Sequence, residues 1–228
     1  MKTMRKLILP FLIITMIIGM ILPCSLKAEA YTFTPPFTIK SNAGIIMNLD
    51  SGTVIYEKNA DHQEMPAHLA QIMTAIVVME NCSDIDNTTI TLDIDADIYF
   101  QNLAASDDIR YAEIGTGDTL TVTEYLYAML LTSGCDAAYA LSNFIGNGST
   151  EAFVKMMNDK AVEIGCTGTH FVNATGLYDK YQITTARDMM LITKYALEKV
   201  PGFREIATAN LYNTTSKSKT VSYAMNGW

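Results

Sequence analysis

The sequence predicts an α/β fold of the α+β kind, in which a β-hairpin precedes a body of helices. Two apolar-rich runs, residues 43–50 and 53–57, surround a turn that contains Gly52, which is a pattern typical of a hairpin. Beyond Pro66, apolar residues recur at helical spacing in several segments. The sequence has no internal repeat and no low-complexity segment, so we expect one domain.

The helices are predicted from their apolar faces and from the residues at their ends. Pro66 begins the first helix at a position that suits proline, and Leu69 and Ile72 belong to a wide apolar face that suits burial. Thr123 is the expected N-cap of the second helix, which ends near residues 133–134. Further helices are predicted at 136–145, 150–164 and 185–199.

The polar region between the first two helices contains one expected strand and one acidic run. An alternation typical of a short strand is carried by Ile90, Leu92 and Ile94. A second alternation is acidic and consists of Asp93, Asp95 and Asp97. This run lacks the glycine and the glutamate that a calcium loop requires, so we expect a solvated face. The three histidines lack zinc-motif spacing, and we predict no metal and no cofactor.

Residues 1–30 have the composition of a signal peptide. Basic side chains near the N-terminus precede an uninterrupted apolar stretch over residues 7–22, and Ala28-Glu29-Ala30 supplies the small residues that a signal peptidase requires. We therefore predict export, with cleavage after Ala30 and a domain over residues 31–228. A retained membrane anchor is the alternative, because residues 7–25 are just long enough to span a bilayer.

The predicted mature chain is acidic. It has about 198 residues, enough for one domain with a core, and 12 basic and 23 acidic side chains give it a net charge of −11. Such a surface repels nucleic acid and anionic lipid, so neither is an expected partner. Three cysteines remain, Cys82, Cys135 and Cys166. We expect at least two of them to be buried thiols, and one disulfide of undetermined pairing is possible in an exported protein.

Several short motifs occur together in a fixed order. They are the segment 43–61, Pro66-Ala67, Ile72-Met73-Thr74, Ser133-Gly134 with Asp136, Met157-Asn158, Phe171, Asn173, Gly176-Leu177 and Thr185-Ala186 with Asp188. In this order and spacing the chain resembles the D-alanyl-D-alanine carboxypeptidases of the low-molecular-weight penicillin-binding class, serine peptidases that trim peptidoglycan stem peptides. The resemblance covers nearly the whole mature chain and implies a β-lactamase/transpeptidase-like fold.

The resemblance also implies where an active site would lie. In that family the serine of a Ser-x-x-Lys motif attacks the carbonyl of the penultimate D-alanine, and the lysine acts as its base. A Ser-x-Asn loop adds a hydroxyl and an amide, and a Lys-Thr-Gly strand binds the terminal carboxylate.

This chain departs from those motifs. His68 stands at the nucleophile position, Gln71 at the base and Cys135 at the loop asparagine, and only Ser133 is retained. We predict that these four residues line the substrate groove and that Ser133 is the one remaining catalytic-type residue. His68 lacks a partner at a matching spacing for a catalytic dyad, so we expect a hydrogen-bonded histidine at a helix start. Cys135 is expected to be packed and inert.

No Lys-Thr-Gly segment precedes Trp228. The family fold completes its sheet with strands from this region, so we expect an incomplete sheet with an open edge, which invites pairing with another chain.

Three hypotheses about function follow. The leading one is an exported, catalytically silent relative that binds a stem peptide or a cell-wall partner. The second is a serine-type carboxypeptidase completed by a second chain that supplies the missing strands. The third is a truncated remnant without function.

Overall fold

The computed structural model describes residues 39–102, 109–214 and 221–224. The predicted signal peptide lies outside the described residues. The strands are β1 (Gly44–Met47), β2 (Val54–Lys58), β3 (Gln63–Glu64), β4 (Thr89–Thr91), β5 (Thr119–Thr121), β6 (Thr184–Thr185), β7 (Leu211–Thr214) and β8 (Val221–Ala224). The helices are α1 (Ala70–Asn81), α2 (Ile94–Asn102), α3 (Val122–Thr132), α4 (Cys135–Ile145), α5 (Thr150–Ile164), α6 (Ala186–Lys199) and α7 (Phe203–Ala207).

The N-terminal hairpin forms as predicted. β1 and β2 pair antiparallel, with Gly44 opposite Lys58 and an irregularity between Ile46 and Met47. The turn places Gly52 at a φ of 67°, a left-handed conformation that glycine adopts without a steric penalty. β1 packs on α6. Within the described part of the chain, β1 and β2 pair only with each other, so no third strand covers the outer edge of β1.

Helix α1 is the centre of the helical body. It packs against α3, α4, α5 and α6. Its side chains from Met73 to Val78 are almost wholly buried, which accounts for its apolar composition. The prediction that Leu69 belongs to the buried face is wrong, because Leu69 is 55% exposed. Residues Ala67–Leu69 form a 3₁₀ turn, whose three-residue period does not continue the apolar stripe of the α-helix.

Two predicted boundaries are corrected. The N-cap of α3 is Thr121 and not Thr123: the Thr121 side chain accepts a hydrogen bond from the Glu124 N–H, and the Glu124 carboxylate accepts one from the Thr121 N–H. This reciprocal pair is a capping box, and it fixes the start of the helix. The alternation that predicted a strand ends at Thr91, and Ile94 begins α2. The Asp93 carboxylate accepts a hydrogen bond from the Asp95 N–H, so a local cap starts this helix where alternation alone predicted strand.

Of the remaining short strands only β4 was predicted, from the alternation that includes Ile90; the others carry no sequence signal that predicted them. β3 pairs with β6, and β4 pairs with β5, across more than twenty residues of chain in each case. After the short helix α7, β7 and β8 form a second hairpin that packs on α3. In this hairpin the Tyr212 ring stacks on Tyr127, with ring centroids 3.9 Å apart and planes 7° from parallel.

No disulfide joins Cys82, Cys135 and Cys166 in the described part of the chain, and the thiols of Cys135 and Cys166 are buried. The expectation of at least two buried thiols is therefore confirmed. None of the helices in the described ranges combines the length and the apolar character needed to cross a membrane.

Candidate functional site

The start of the first helix is held in an uncommon backbone conformation. Ala67 has a φ of 47°, in the left-handed region that residues with a Cβ rarely adopt. The loop at residues 173–177 packs directly against it. A Cβ atom added to Gly176, whose φ is 83°, would lie 2.4 Å from the Ala67 carbonyl oxygen and 2.7 Å from the His68 Cα atom. The loop and the turn can therefore meet only because residue 176 has no side chain.

Gln71 links three segments of the chain. Its side chain is 2% exposed, and its Nε2 atom donates hydrogen bonds to the Thr175 carbonyl oxygen at 2.9 Å and to the Ser133 carbonyl oxygen at 3.2 Å. These two bonds tie α1 to the loop at residues 173–177 and to the loop after α3. A side-chain amide has two N–H hydrogens, and both are engaged here.

His68 contacts the same acceptor. Its Nδ1 atom lies 3.1 Å from the Thr175 carbonyl oxygen. Since a carbonyl oxygen only accepts, Nδ1 carries the proton in this contact. The Nε2 atom is shielded from solvent. The prediction of a hydrogen-bonded histidine at the helix start is confirmed.

Ser133 and Cys135 lie at the junction between α3 and α4. Ser133 is the C-cap of α3, with a left-handed φ of 59°. Cys135 begins α4 and is fully buried, with its Sγ atom 3.9 Å from the Ser133 carbonyl oxygen. The structure thus brings His68, Gln71, Ser133 and Cys135 together, and it packs Cys135 as predicted. Their role in binding a substrate remains a prediction.

Asp136 anchors this junction and was not among the predicted site residues. Its buried carboxylate accepts hydrogen bonds from the backbone N–H groups of Ala112 at 2.8 Å and Ile114 at 3.1 Å. Burial raises the pKa of the Asp136 carboxyl, and the backbone hydrogen bonds oppose that rise. The neighbouring Gly134 is equally constrained, because a Cβ atom there would lie 2.7 Å from the Ala112 Cβ.

The family model of the D-alanyl-D-alanine carboxypeptidases matches residues 29–227. The chain belongs to this family.

Individual carboxypeptidases agree with that match. The D-alanyl-D-alanine carboxypeptidase of Streptomyces sp. strain K15 is 33% identical over 215 residues, which make up 90% of this chain and 70% of the relative. The carboxypeptidase DacF of Bacillus subtilis is 31% identical over 82% of this chain and 48% of its own length. The carboxypeptidase DacC of Escherichia coli is 32% identical over 78% of this chain and 44% of its own length. The chain therefore spans about half the length of the latter two relatives.

Solved structures of similar proteins share the fold. The Streptomyces DD-transpeptidase superposes with a TM-score of 0.76 at 28% identity, covering 85% of this chain and 76% of the other. The carboxypeptidase DacD of Francisella tularensis gives a TM-score of 0.69 at 29% identity, covering 82% of this chain and 45% of the other. The predicted penicillin-binding-protein fold is confirmed.

A buried polar network supports the loop at residues 173–177. The Gln182 Oε1 atom accepts from the N–H groups of Val172 and Asn173, at 2.9 and 2.8 Å. The Asn173 Oδ1 atom accepts from the Gly176 N–H at 2.8 Å and from the Thr175 hydroxyl at 3.0 Å. Gln182 is 1% exposed, yet no local sequence signal singled it out, because its role depends on contacts with residues nine and ten positions away.

The chemistry of the Gln71 side chain differs from that of a lysine. The glutamine amide is not a base at neutral pH, and its hydrogens are already donated to carbonyl oxygens. Across the ranges that the structure describes, no three His, Cys, Asp or Glu side chains are grouped so that they could hold a metal ion. These hydrogen bonds hold α1, the loop at residues 173–177 and the loop after α3 in fixed relative positions.

Proposed function

We propose that this protein binds a peptidoglycan stem peptide ending in D-alanyl-D-alanine and does not hydrolyse it. The observation that carries the proposal is the position of Gln71. By motif correspondence with the family, this residue replaces the lysine base, and it donates to the Thr175 and Ser133 carbonyl oxygens. The segments that would border the peptide are therefore tied together by a residue that cannot accept a proton from a serine.

The nucleophile position supports the same proposal. His68 replaces the serine, and its Nε2 atom, which is the atom that could attack a carbonyl, is shielded from solvent. Attack by a histidine would also need a base or an oxyanion site arranged around it. In serine peptidases, loss of the nucleophile or of its base alone reduces turnover by roughly 10⁶-fold. Loss of both leaves binding as the remaining activity.

We also propose that the protein acts outside the cytoplasm, at the cell wall. The basic and apolar character of residues 1–30 supports export. The acidic character of the remaining chain supports a partner other than nucleic acid or anionic lipid. A stem peptide or a cell-wall protein would meet both conditions.

Labelling with a fluorescent penicillin tests the loss of catalysis. The purified protein is incubated with the probe, denatured and separated on a gel, beside a penicillin-binding enzyme with an intact Ser-x-x-Lys motif. We expect a labelled band from the intact enzyme and none from this protein. A labelled band that survives denaturation would show that a nucleophile is still present and would contradict the proposal.

Calorimetric titration tests binding. A peptide ending in D-alanyl-D-alanine is expected to bind saturably, whereas the L-alanyl-L-alanine analogue is not. His68→Ala should weaken binding of the first peptide, and His62→Ala, at an exposed site on the hairpin side, should leave it unchanged. Absence of binding by the unsubstituted protein, or equal effects of the two substitutions, would contradict the assignment of the groove.

A second candidate function is a carboxypeptidase completed by a partner chain. It is favoured by an apolar groove of about 670 Å³ between β1 and α6, whose walls include Ile45, Met47, Met65, Leu69 and Met189. Met65 and Leu69 are 46% and 55% exposed. A strand from another protein could pair with the outer edge of β1 and cover this groove.

The second candidate is tested by D-alanine release from a stem-peptide mimic, with and without the product of the adjacent gene. Release that requires both proteins would support it. No release with both proteins present would favour the binding function.

A further inference from the structure

The apolar groove between β1 and α6 carries an opposite charge at each end. Among the residues that line it, only Glu64 and Lys194 are charged at neutral pH. Glu64 pairs with Thr184 in the β3–β6 ladder, so it lies beside the start of α6. Lys194 comes eight residues after Ala186, the first residue of that helix, which places it roughly 12 Å further along the helix axis.

The hairpin fixes how these charges relate to β1. The Lys194 Nζ atom would lie 3.8 Å from a Cβ atom added to Gly52, in the turn that follows β1. Asn42, which precedes β1, lines the groove together with Glu64, and the same two residues also line a neighbouring polar pocket. The carboxylate therefore lies beside the start of β1 and the ammonium group beside its end.

The outer edge of β1 is suited to pairing with another strand. The segment Gly44–Met47 contains no charged residue and no proline, which are common means by which an edge strand avoids pairing. Its register with β2 is regular from Gly44 to Ile46. The side chains of Ile45 and Met47 line the groove. A strand added at this edge would present every second side chain to the groove, because side chains alternate between the two faces of a sheet.

Both charged groups of the groove make only long contacts within the protein. The Glu64 carboxylate lies 3.7 Å from the His62 Nε2 atom, and the Lys194 Nζ atom lies 3.8 Å from the Glu198 carboxylate. The side chains of Glu64 and Lys194 are 43% and 31% exposed. Exposed ion pairs of this kind contribute little to stability, so the charges of a partner can compete for Glu64 and Lys194.

We propose that this groove binds an extended segment of a second polypeptide, which pairs antiparallel with β1 and carries an acidic residue beside Lys194 and a basic residue beside Glu64. An antiparallel segment begins at the end of β1, so its acidic residue comes first. Four residues of strand span about 13 Å, which matches the separation of the two charges. The basic residue therefore follows four positions later on the same face, with an apolar residue between them. The second polypeptide is the partner chain of the second candidate function, on which this inference rests.

The test uses two synthetic peptides of equal composition. The first is acetyl-Thr-Glu-Thr-Ile-Thr-Lys-Thr-amide, and in the matched peptide the Glu and the Lys are exchanged. Each is titrated into the purified protein, with binding measured by calorimetry and mapped by amide chemical shifts. We expect the first peptide to bind about threefold to tenfold more tightly, because each exposed ion pair contributes modestly. Shift changes are expected at Ile45, Met47 and Met189.

Reversing the charges of the groove should reverse the preference between the peptides. In the double variant Glu64→Lys with Lys194→Glu, the matched peptide is expected to bind more tightly than the first. The control is the double variant Lys155→Glu with Asp159→Lys, which reverses an exposed ion pair on α5 outside the groove. It should keep the original preference. Thermal melts of both variants verify that each is folded.

Several results would overturn the assignment. They are absence of saturable binding of either peptide at millimolar concentration, equal affinities for the two peptides, an unchanged preference in the charge-reversed variant, and shift changes confined to residues outside the groove. Self-association that Lys194→Glu abolishes would assign the groove to a second copy of the protein. Slow hydrogen exchange of every β1 amide in the absence of a peptide would assign it to another segment of the same chain.

These outcomes are distinguishable from failure of the second candidate function, because binding is measured and D-alanine release is not. Binding of the first peptide, without D-alanine release in the presence of any partner, would retain the docking site and exclude only the enzymatic function. Release with a partner, but no preference between the peptides, would retain the enzymatic function and overturn the charge assignment.

Discussion

The side-chain amide of Gln71 donates a hydrogen bond of 2.9 Å to the main-chain carbonyl oxygen of Thr175, joining the first helix to the loop at residues 173–177. The same amide reaches the Ser133 carbonyl oxygen. One buried side chain thus fixes the relative positions of three segments around the candidate groove.

Replacing Gln71 should destabilise the protein. In Gln71→Ala the Thr175 and Ser133 carbonyl oxygens lose a donor inside the protein, and we expect the free energy of unfolding to fall by about 2 kcal/mol. Urea denaturation measures this change. Gln63→Ala, at an exposed strand residue with a long 3.4 Å contact to the Gly168 carbonyl oxygen, is the control and should change stability by less than about 0.5 kcal/mol. Equal losses would show that the two bonds of Gln71 are not important for stability.

Gly176 should tolerate no side chain. Gly176→Ala forces a residue with a Cβ into a φ of 83° and places that Cβ against the Ala67 carbonyl oxygen, so we expect a loss of more than about 2 kcal/mol. Gly148 is the matched control, because its φ is 86° and no atom lies within 4 Å of its added Cβ. Gly148→Ala should cost only about 1 kcal/mol, for the backbone conformation alone. If thermal denaturation gave the same loss for both, the close approach of the loop and the turn would be refuted.

The buried Asp136 should make stability depend on pH. Because burial raises the pKa of its carboxyl in the folded state, the unfolded chain releases this proton first as the pH rises above the ordinary value of 3.8. The contribution of Asp136 to stability therefore falls as the pH rises from that value, until the folded carboxyl has also ionised. Asp136→Asn has no such proton to lose.

The measurement for Asp136 is the difference in unfolding free energy between the unsubstituted protein and Asp136→Asn, followed from about pH 3.8 towards neutrality. We expect this difference to shift in favour of the variant as the pH rises. Taking a difference cancels the contributions of distant carboxylates. A difference that is constant, or that shifts in the opposite direction, would contradict the raised pKa.

The thiols should differ in reactivity. Burial raises the pKa of the Cys166 thiol to about 12, so roughly one molecule in ten thousand carries the thiolate at pH 8. Cys135 is fully buried, whereas Cys82 is only partly so. With iodoacetamide at pH 8, mass spectrometry should find Cys82 modified before the other two. In urea all three should react, and a pair protected in urea until reductant is added would indicate a disulfide in place of free thiols.

The sequence predicted those parts of the fold whose signals are local. Gly52 in its turn, Gly165 after α5 and Thr185 before α6 each act on the few residues beside them, and the corresponding hairpin and helix ends lie where they were expected. Leu69 is exposed because it lies in a 3₁₀ turn. The β7–β8 hairpin depends on its packing against α3. Neither leaves a periodic pattern in so few residues.

The candidate site was predicted in part. Motif correspondence pointed to His68, Gln71, Ser133 and Cys135, which the structure places together. It gave no indication of the Thr175 carbonyl oxygen, which accepts from both His68 and Gln71. A main-chain acceptor is common to every residue type, so no amino-acid identity marks it. The supporting role of Gln182 was missed because its partners are reached only after the chain folds back.

The backbone at Ala67 has a consequence for protein engineering. An alanine in the left-handed region costs about 1–2 kcal/mol, and the folded chain still bears that cost at the residue before His68. The turn takes this conformation although residue 68 has no hydroxyl and residue 71 has no amine. An attempt to install hydrolytic chemistry, by His68→Ser together with Gln71→Lys, can therefore begin from side-chain replacement and leave the main chain of this turn unaltered.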